Sequence, residues 1–271
     1  MERSVVLNNG VTMPLLGLGI YAPGEKNEVT RAVRWALEEG YRLIDTASVY
    51  QNEEEVGQGL KDSGISREEV FITSKVWNDD QGYDSTLHAY DQSLKRLQTD
   101  YLDLYLIHWP VAAKREATWR ALEKIYSEKR VRAIGVSNYY QPHLEELFGY
   151  ASVVPTVNQF EQSPFLYRPE LLQYCREKGI QSEGYAPLVR GKEASNEVLQ
   201  TIANKYGKST YQVLIRWGLQ HQLVTIPKST NRERIRANFD VWDFELSEAD
   251  MTELNALNAD IRVADDPMDY L

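Results

Sequence analysis

The stretch that decides the fold runs from Phe71-Ile72-Thr73-Ser74-Lys75-Val76 to Leu102-Asp103-Leu104-Tyr105-Leu106-Ile107-His108, with an amphipathic segment, residues 84–97, between them. Short runs rich in branched apolar and aromatic residues read as strands, and apolar residues recurring every three or four positions read as a helix. Strand, helix and strand in that order make a parallel crossover unit. Outward from this unit the alternation continues in both directions. Further apolar runs lie at residues 15–19, 42–47, 132–137, 156–160, 180–186 and 224–228; the two quoted runs extend over 70–76 and 102–108. Helical spacing recurs at 28–37, 52–63, 116–129, 141–148, 168–178 and 195–206. In the first of these, Val29, Ala32, Val33, Ala36 and Leu37 fall on one stripe. Gly40, Gly64, Gly149, Gly179 and Gly207 follow helical runs, where left-handed caps are expected.

Eight strand–helix alternations close into a TIM-type (β/α)8 barrel, and nothing divides the chain, so residues 1–271 read as one domain. Ser4 to Leu7 and Val11 to Met13 flank Asn8-Asn9-Gly10, a β-hairpin expected beneath the barrel. Helical patterns at 210–219 and 247–257 exceed a minimal barrel and are expected outside the ring. A competing reading starts from Gly17-Leu18-Gly19-Ile20-Tyr21-Ala22, which matches the loose dinucleotide fingerprint of a doubly wound fold. That fingerprint requires its glycine loop to open a helix directly, and here Pro23-Gly24 intervenes. Asp45 also lies farther on than the roughly 20 residues the fingerprint expects before its acidic residue.

The formal net charge of −10 excludes the basic surface that nucleic-acid affinity needs. No apolar run reaches membrane-spanning length, and the start of the chain lacks a signal-peptide core. A single cysteine, Cys175, lies in a helical pattern and reads as packing in a reducing compartment, the cytoplasm.

Barrel active sites gather at the C-terminal ends of the strands. Three consecutive strands end on Asp45, Lys75 and His108, so three different ionisable groups are expected at one rim, and Tyr50 can fold back from the loop after Asp45. Each alone has an ordinary explanation: a rim ion pair, a core histidine, a helix-start aromatic. Together they suit carbonyl reduction. A carbonyl accepts hydride when its oxygen is protonated or strongly hydrogen-bonded. A tyrosine supplies the proton, and a lysine beside it is expected to lower the phenol's pKa from about 10. Asp45 would anchor Lys75, and neutral His108 would orient the oxygen. The four histidines are dispersed, so no metal site is expected.

Asp45-Thr46-Ala47-Ser48-Val49-Tyr50 with Asn52-Glu53, then Ile72-Thr73-Ser74-Lys75-Val76-Trp77 and Leu102 through Trp109-Pro110, resemble in order the signature segments of the aldo-keto reductases. Ala133-Ile134-Gly135-Val136-Ser137-Asn138, Val157-Asn158-Gln159 and Ile226-Pro227-Lys228-Ser229 extend the resemblance. It implies Asp45, Tyr50, Lys75 and His108 as the catalytic set and NADPH as cofactor. It further implies Gly19, Ile20, Ser137, Asn138, Gln159 and Tyr185 around the nicotinamide half, with Lys228, Ser229 and Arg234 on a 2′-phosphate and Asn238 on the adenine. The residues themselves support the phosphate: Arg232, Arg234 and Arg236 crowd a positive helix start, which is unfavourable unless an anion arrives. Tyr21, Trp77 and Trp109 are expected to wall an open pocket for a small-molecule carbonyl substrate, in a monomer.

The chain departs from the family where an aromatic-His-Pro is frequent, carrying Glu161-Gln162-Ser163-Pro164, and it has Ala186 where serine is common. The loop after His108 and the tail after Leu257 are short, resembling bacterial-type members that act on small dicarbonyls, keto-sugars and aldehydes. Non-catalytic members also exist, as lens crystallin and as a potassium-channel accessory subunit. The presence of all four catalytic positions speaks for activity.

Overall fold

The computed structural model describes residues 2–22 and 26–270. Eight parallel strands follow one another in sequence order around the sheet: β3 (Leu18–Gly19), β4 (Leu43–Asp45), β5 (Phe71–Val76), β6 (Leu102–Ile107), β7 (Val131–Ser137), β8 (Val157–Glu161), β9 (Gln181–Tyr185) and β10 (Val224–Ile226). Parallel bridges from Leu16 to Thr225 and from Gly19 to Lys228 join the two edges, so the sheet closes. A doubly wound sheet changes direction at a central strand and stays open. Neither occurs here.

The closure explains the glycines that imitate a dinucleotide loop. A Cβ on Gly19 would stand 2.8 Å from the Ile226 carbonyl oxygen, and one on Gly17 would stand 2.5 Å from Leu43 Cγ. Both glycines let neighbouring chain approach at the seam, which is a packing requirement. Pro23-Gly24, which argued against the dinucleotide reading, lies outside the described residues.

The helices are α1 (Lys26–Glu38), α2 (Glu53–Ser63), α3 (Tyr83–Leu97), α4 (Arg115–Ser127), α5 (Gln141–Phe148), α6 (Pro169–Glu177), α7 (Glu197–Tyr206), α8 (Thr210–Gln220), α9 (Arg232–Phe239) and α10 (Glu248–Asn255). The stripe of Val29, Ala32, Val33, Ala36 and Leu37 is fully buried, as its spacing predicts. One expectation is corrected. The ring helix before β10 is α8, which packs on that strand and buries every residue from Gln212 to Leu219, whereas α7 lies outside and packs mainly on α8 and α10. Both patterns are amphipathic, and periodicity does not say which helix meets the sheet. Gly64 and Gly207 cap their helices in the left-handed region, but Gly149 has φ −67° and ends α5 without it.

The strands β1 (Ser4–Val6) and β2 (Thr12–Pro14) pair antiparallel as the expected hairpin. Its turn sits at the N-terminal ends of the barrel strands: Asn8 donates to the Pro155 carbonyl at 3.0 Å and Asn9 to the Arg132 carbonyl at 3.0 Å. That leaves the opposite end of the barrel for chemistry.

Candidate active site

Asp45, the last residue of β4, and Lys75, near the end of β5, meet inside the barrel. Lys75 Nζ donates to Asp45 Oδ1 at 2.6 Å and to the Thr46 carbonyl at 2.8 Å, and both side chains are sealed from solvent. An ion pair this dry survives only with its remaining lone pairs satisfied. Asp45 Oδ2 is satisfied by Gln159, whose Nε2 donates to it from β8 at 2.8 Å.

Tyr50 follows Asp45 by way of a short 3-10 turn, Ser48–Tyr50. Asn52 holds this turn: it accepts from the Thr46 hydroxyl at 2.8 Å and donates to the Ile20 carbonyl at 2.8 Å. The Tyr50 ring lies 5.2 Å from Lys75 Nζ and edge-on to His108, with centroids 5.7 Å apart. The structure therefore brings Asp45, Tyr50, Lys75 and His108 together at one rim.

The electrostatics correct one expectation. The phenol of Tyr50 lies well above its ordinary pKa, raised first by burial and then by the charge of Asp45. The lysine beside it does not bring the resting phenol down on balance, because its ammonium is paired with Asp45 at 2.6 Å and burial prevails. The hydroxyl is thus held protonated. His108 is held neutral, its pKa pushed well below the usual value by burial and by the ammonium of Lys75. Its Nδ1 is buried without a partner, so Nε2 is the nitrogen left facing the cavity.

Behind His108 a second network forms. Asn138 adopts φ 64°, a left-handed conformation that asparagine tolerates better than most residues. Its Nδ2 donates to the His108 carbonyl at 3.0 Å and to Ser137 Oγ at 3.2 Å, and its Oδ1 accepts from the Tyr185 hydroxyl at 2.9 Å. Ser137, Asn138, Gln159 and Tyr185 thus share one wall, at the ends of β7, β8 and β9. Among the described residues nothing donates to Gln159 Oε1. Ile20 and Gly19 line the seam above Asp45, where Ile20 N donates to the Asp45 carbonyl at 3.0 Å.

After β10, Ser229 and Asn238 are buried, and the Asn231 side chain caps α9 by accepting from Arg234 N at 3.0 Å. The three arginines separate in role. Arg232 reaches Glu38 at 3.3 Å and Arg236 lies 4.0 Å from Glu39, while among the described residues no carboxylate pairs with Arg234. A cleft of about 530 Å³ opens here between α1 and the start of α9, lined by Trp35, Thr230 and Arg234 among others. Lys228 precedes it in the bridge to Gly19.

Of the three aromatics expected to wall a substrate pocket, Tyr21, half exposed, packs edge-on against Tyr50 at 5.1 Å, and Trp77 packs edge-on against His108 at 5.2 Å. Trp109 is buried because Tyr270 from the tail stacks on it at 5.1 Å. Sequence reasoning did not reach the tail. Glu161, one of the departures, anchors it by accepting from the backbone N–H groups of Val263 and Ala264 at 2.8 and 3.0 Å. It also missed Glu183, which is buried inside the barrel and accepts from Gln159 at 3.0 Å. A charged residue within the run at 180–186 was the available signal.

Among the described residues no helix is long and apolar enough to cross a membrane, and no group of three metal-ligating side chains occurs. Comparison with known proteins gives concordant results. The family model for the aldo/keto reductase family matches residues 15–259. The chain is 54% identical to glyoxal reductase of Bacillus subtilis over 271 residues, covering all of this chain and 98% of that one. It is 51% identical to 9,11-endoperoxide prostaglandin H2 reductase of Trypanosoma cruzi, over 98% of this chain and 95% of that one. Among solved structures, an aldo-keto reductase from a Medee basin deep-sea metagenome superimposes with a TM-score of 0.94 at 47% identity, over 97% and 98% of the two chains. A Bombyx mori aldo-keto reductase in complex with NADP gives 0.91 at 37% identity, over 97% and 94%. With the closed barrel and the tyrosine, lysine, aspartate and histidine at its rim, these likenesses show that the chain belongs to the aldo/keto reductase family.

Proposed function

We propose that the protein is an NADPH-dependent reductase that converts the carbonyl of small aldehydes, ketones or α-dicarbonyls to the alcohol. The carrying observation is the Tyr50 phenol, kept protonated above the buried Lys75–Asp45 pair and facing the ring of neutral His108. The glyoxal reductase likeness supports an α-dicarbonyl as a natural type of substrate.

The residues fit the cofactor. Among the described residues nothing donates to Gln159 Oε1, which suits a carboxamide N–H, and no carboxylate pairs with Arg234 beside a cleft at a helix start; the Tyr185 ring lies on the same wall as Gln159. Ser137 and Asn138 would hold the carboxamide, Gly19 and Ile20 would flank the ribose side, Lys228, Ser229 and Arg234 would take the 2′-phosphate, and Asn238 the adenine. Bound NADPH supplies hydride. The protein's own part is to hold the carbonyl oxygen and protonate it. His108 Nε2 donates a hydrogen bond to that oxygen and fixes its direction, while the Tyr50 hydroxyl gives up its proton as negative charge develops. A raised phenol pKa does not prevent this, because an alkoxide is a far stronger base than a phenolate. The Lys75 ammonium, 5.2 Å from the ring, stabilises the phenolate left behind, and Asp45 keeps the ammonium in place. Tyr21, Trp77 and Trp109 wall the substrate.

The whole chain is read as one catalytic domain working as a monomer, since every proposed site residue comes from it, and buried Cys175 suits a reducing cytoplasm. Loss of NADPH absorbance on adding glyoxal or a simple aldehyde tests the reading. Turnover is expected. Cofactor binding with no oxidation across a panel of carbonyls would instead favour a non-catalytic, nicotinamide-sensing protein.

A further inference from the structure

Two carboxyl groups and one ammonium are enclosed inside the barrel. Glu183, in the middle of β9, is fully buried, and its Oε2 accepts from Gln159 Nε2 at 3.0 Å. The same nitrogen donates to Asp45 Oδ2 at 2.8 Å, so one side-chain amide bridges the two carboxyl groups. The charged and titratable groups facing Glu183 are Asp45 from β4, Lys75 from β5 and Tyr50 from the turn after β4. β8 contributes neutral Gln159, while β10 carries no titratable side chain. Lys75 neutralises Asp45 at 2.6 Å and reaches nothing on Glu183. Glu183 Oε1 is buried and has no partner among the described residues. An ionised carboxylate with one oxygen unpaired in a dry cavity, next to a second carboxylate, is among the costliest arrangements a protein can hold. A proton on Oε1 removes that cost and leaves Oε2 as a carbonyl acceptor for Gln159.

We propose that Glu183 is a positioning residue that works as a neutral carboxylic acid, clamping the Gln159 amide against Asp45 so that Gln159 Oε1 faces the nicotinamide carboxamide. The proposal rests on the reading of Gln159 as a carboxamide partner and of Tyr50 as the acid. With both amide hydrogens committed to the two carboxyl groups, Gln159 has one orientation available, and its oxygen is the only atom it can present. The neutral acid also keeps the charge balance of the tetrad at one aspartate to one lysine. Burial, and then the charge of Asp45, raise the Glu183 pKa to about 8. Ionisation above that pH would place a second negative charge near Tyr50, raising the phenol further and weakening it as an acid. Activity should therefore fall on the alkaline side.

The test compares the parent with Glu183→Gln, which imitates the protonated acid and does not titrate. In single-turnover reduction with NADPH saturating, the parent is expected to lose several-fold in rate from about pH 7 to about pH 9.5, with a midpoint near 8, and Glu183→Gln to stay level. The same midpoint in both proteins would overturn the proposal. A second readout needs no catalysis and no variant: the infrared band of a buried protonated carboxyl, present in the parent near pH 7 and lost by about pH 9.5. Its absence near pH 7 would overturn the proposal even if Glu183→Gln failed to fold. The readouts separate the two readings. A slow Tyr50→Phe variant with a flat parent pH profile would remove the role of Glu183 alone, whereas a carboxyl band present near pH 7 and lost by about pH 9.5, together with a fast Tyr50→Phe, would remove the role of Tyr50 alone.

Discussion

Arg234 shows how much a single residue's company can reveal. Charge alone does not rank the three arginines at the start of α9, since a cationic helix start reads the same for each; it is the family resemblance that points to Arg234. In the folded chain Arg232 and Arg236 turn toward Glu38 and Glu39 at the end of α1, and among the described residues no carboxylate pairs with Arg234. Losing a charge-assisted hydrogen bond costs about 1.5–3 kcal/mol, or roughly ten-fold and upward in affinity. Arg234→Ala should therefore raise the KM for NADPH by that factor and barely change the KM for NADH. Equal effects on both cofactors would remove the phosphate assignment. Cys175 shows the opposite case. It is fully buried among core side chains, burial raises its thiol pKa, and its sulfur accepts from Asn158 at 3.6 Å. Thiol reagents should leave folded enzyme fully active, as Cys175→Ser should be, and rapid inactivation by alkylation of the native protein would contradict this.

Elements were legible where a period was strong. The strands at 71–76 and 102–107 follow from nearly continuous apolar runs, and the tetrad was visible because Asp45, Lys75 and His108 end such runs. Glu183 escaped because it sits inside a run, where a charge looks like a solvent-facing strand position until the barrel closes around it. The tail escaped because residues 258–270 carry no period at all; its place depends on Glu161 and on Tyr270 stacking with Trp109. The glycines at 17 and 19 were legible but ambiguous, since a phosphate loop and a tight strand seam both require a missing side chain. That ambiguity yields a prediction. Gly19→Ala drives a Cβ to 2.8 Å from a backbone carbonyl that cannot rotate away, so it should cost about 1–3 kcal/mol and lower Tm. An unchanged Tm in a thermal melt without cofactor would mean that the seam has slack.

For the whole molecule, buried titratable groups set the dependence of stability on pH. Burial lowers the pKa of His108, His143 and His221, with His143 brought to about 4. Each binds a proton more readily in the unfolded chain, so its contribution is complete above about 6.5 and is lost as pH falls below that value. Glu183 acts in the opposite sense, its folded pKa near 8 making the native state the better proton binder between about 4.5 and 8. Glu161, whose pKa burial also raises, acts with Glu183, and two acids against three histidines leave the histidines dominant. Tm should fall from about pH 7 to about pH 5, as followed by circular dichroism, and a constant or rising Tm over that interval would contradict the burial of the histidines as neutral rings.

The central claim concerns one hydroxyl. Lys75 and Asp45 are poor places to test it, because removing either leaves a buried charge unpaired at a cost of about 3–5 kcal/mol and confounds chemistry with folding. Tyr50→Phe keeps the ring contacts with Tyr21 and His108 and removes only the oxygen. Stopped-flow measurement of single-turnover hydride transfer in Tyr50→Phe, with NADPH saturating, is therefore the most direct test. A rate lower than the parent's by roughly 10²–10⁴-fold, with NADPH affinity unchanged, is the result expected for loss of the general acid. A rate within a few-fold of the parent would show that another group protonates the carbonyl oxygen.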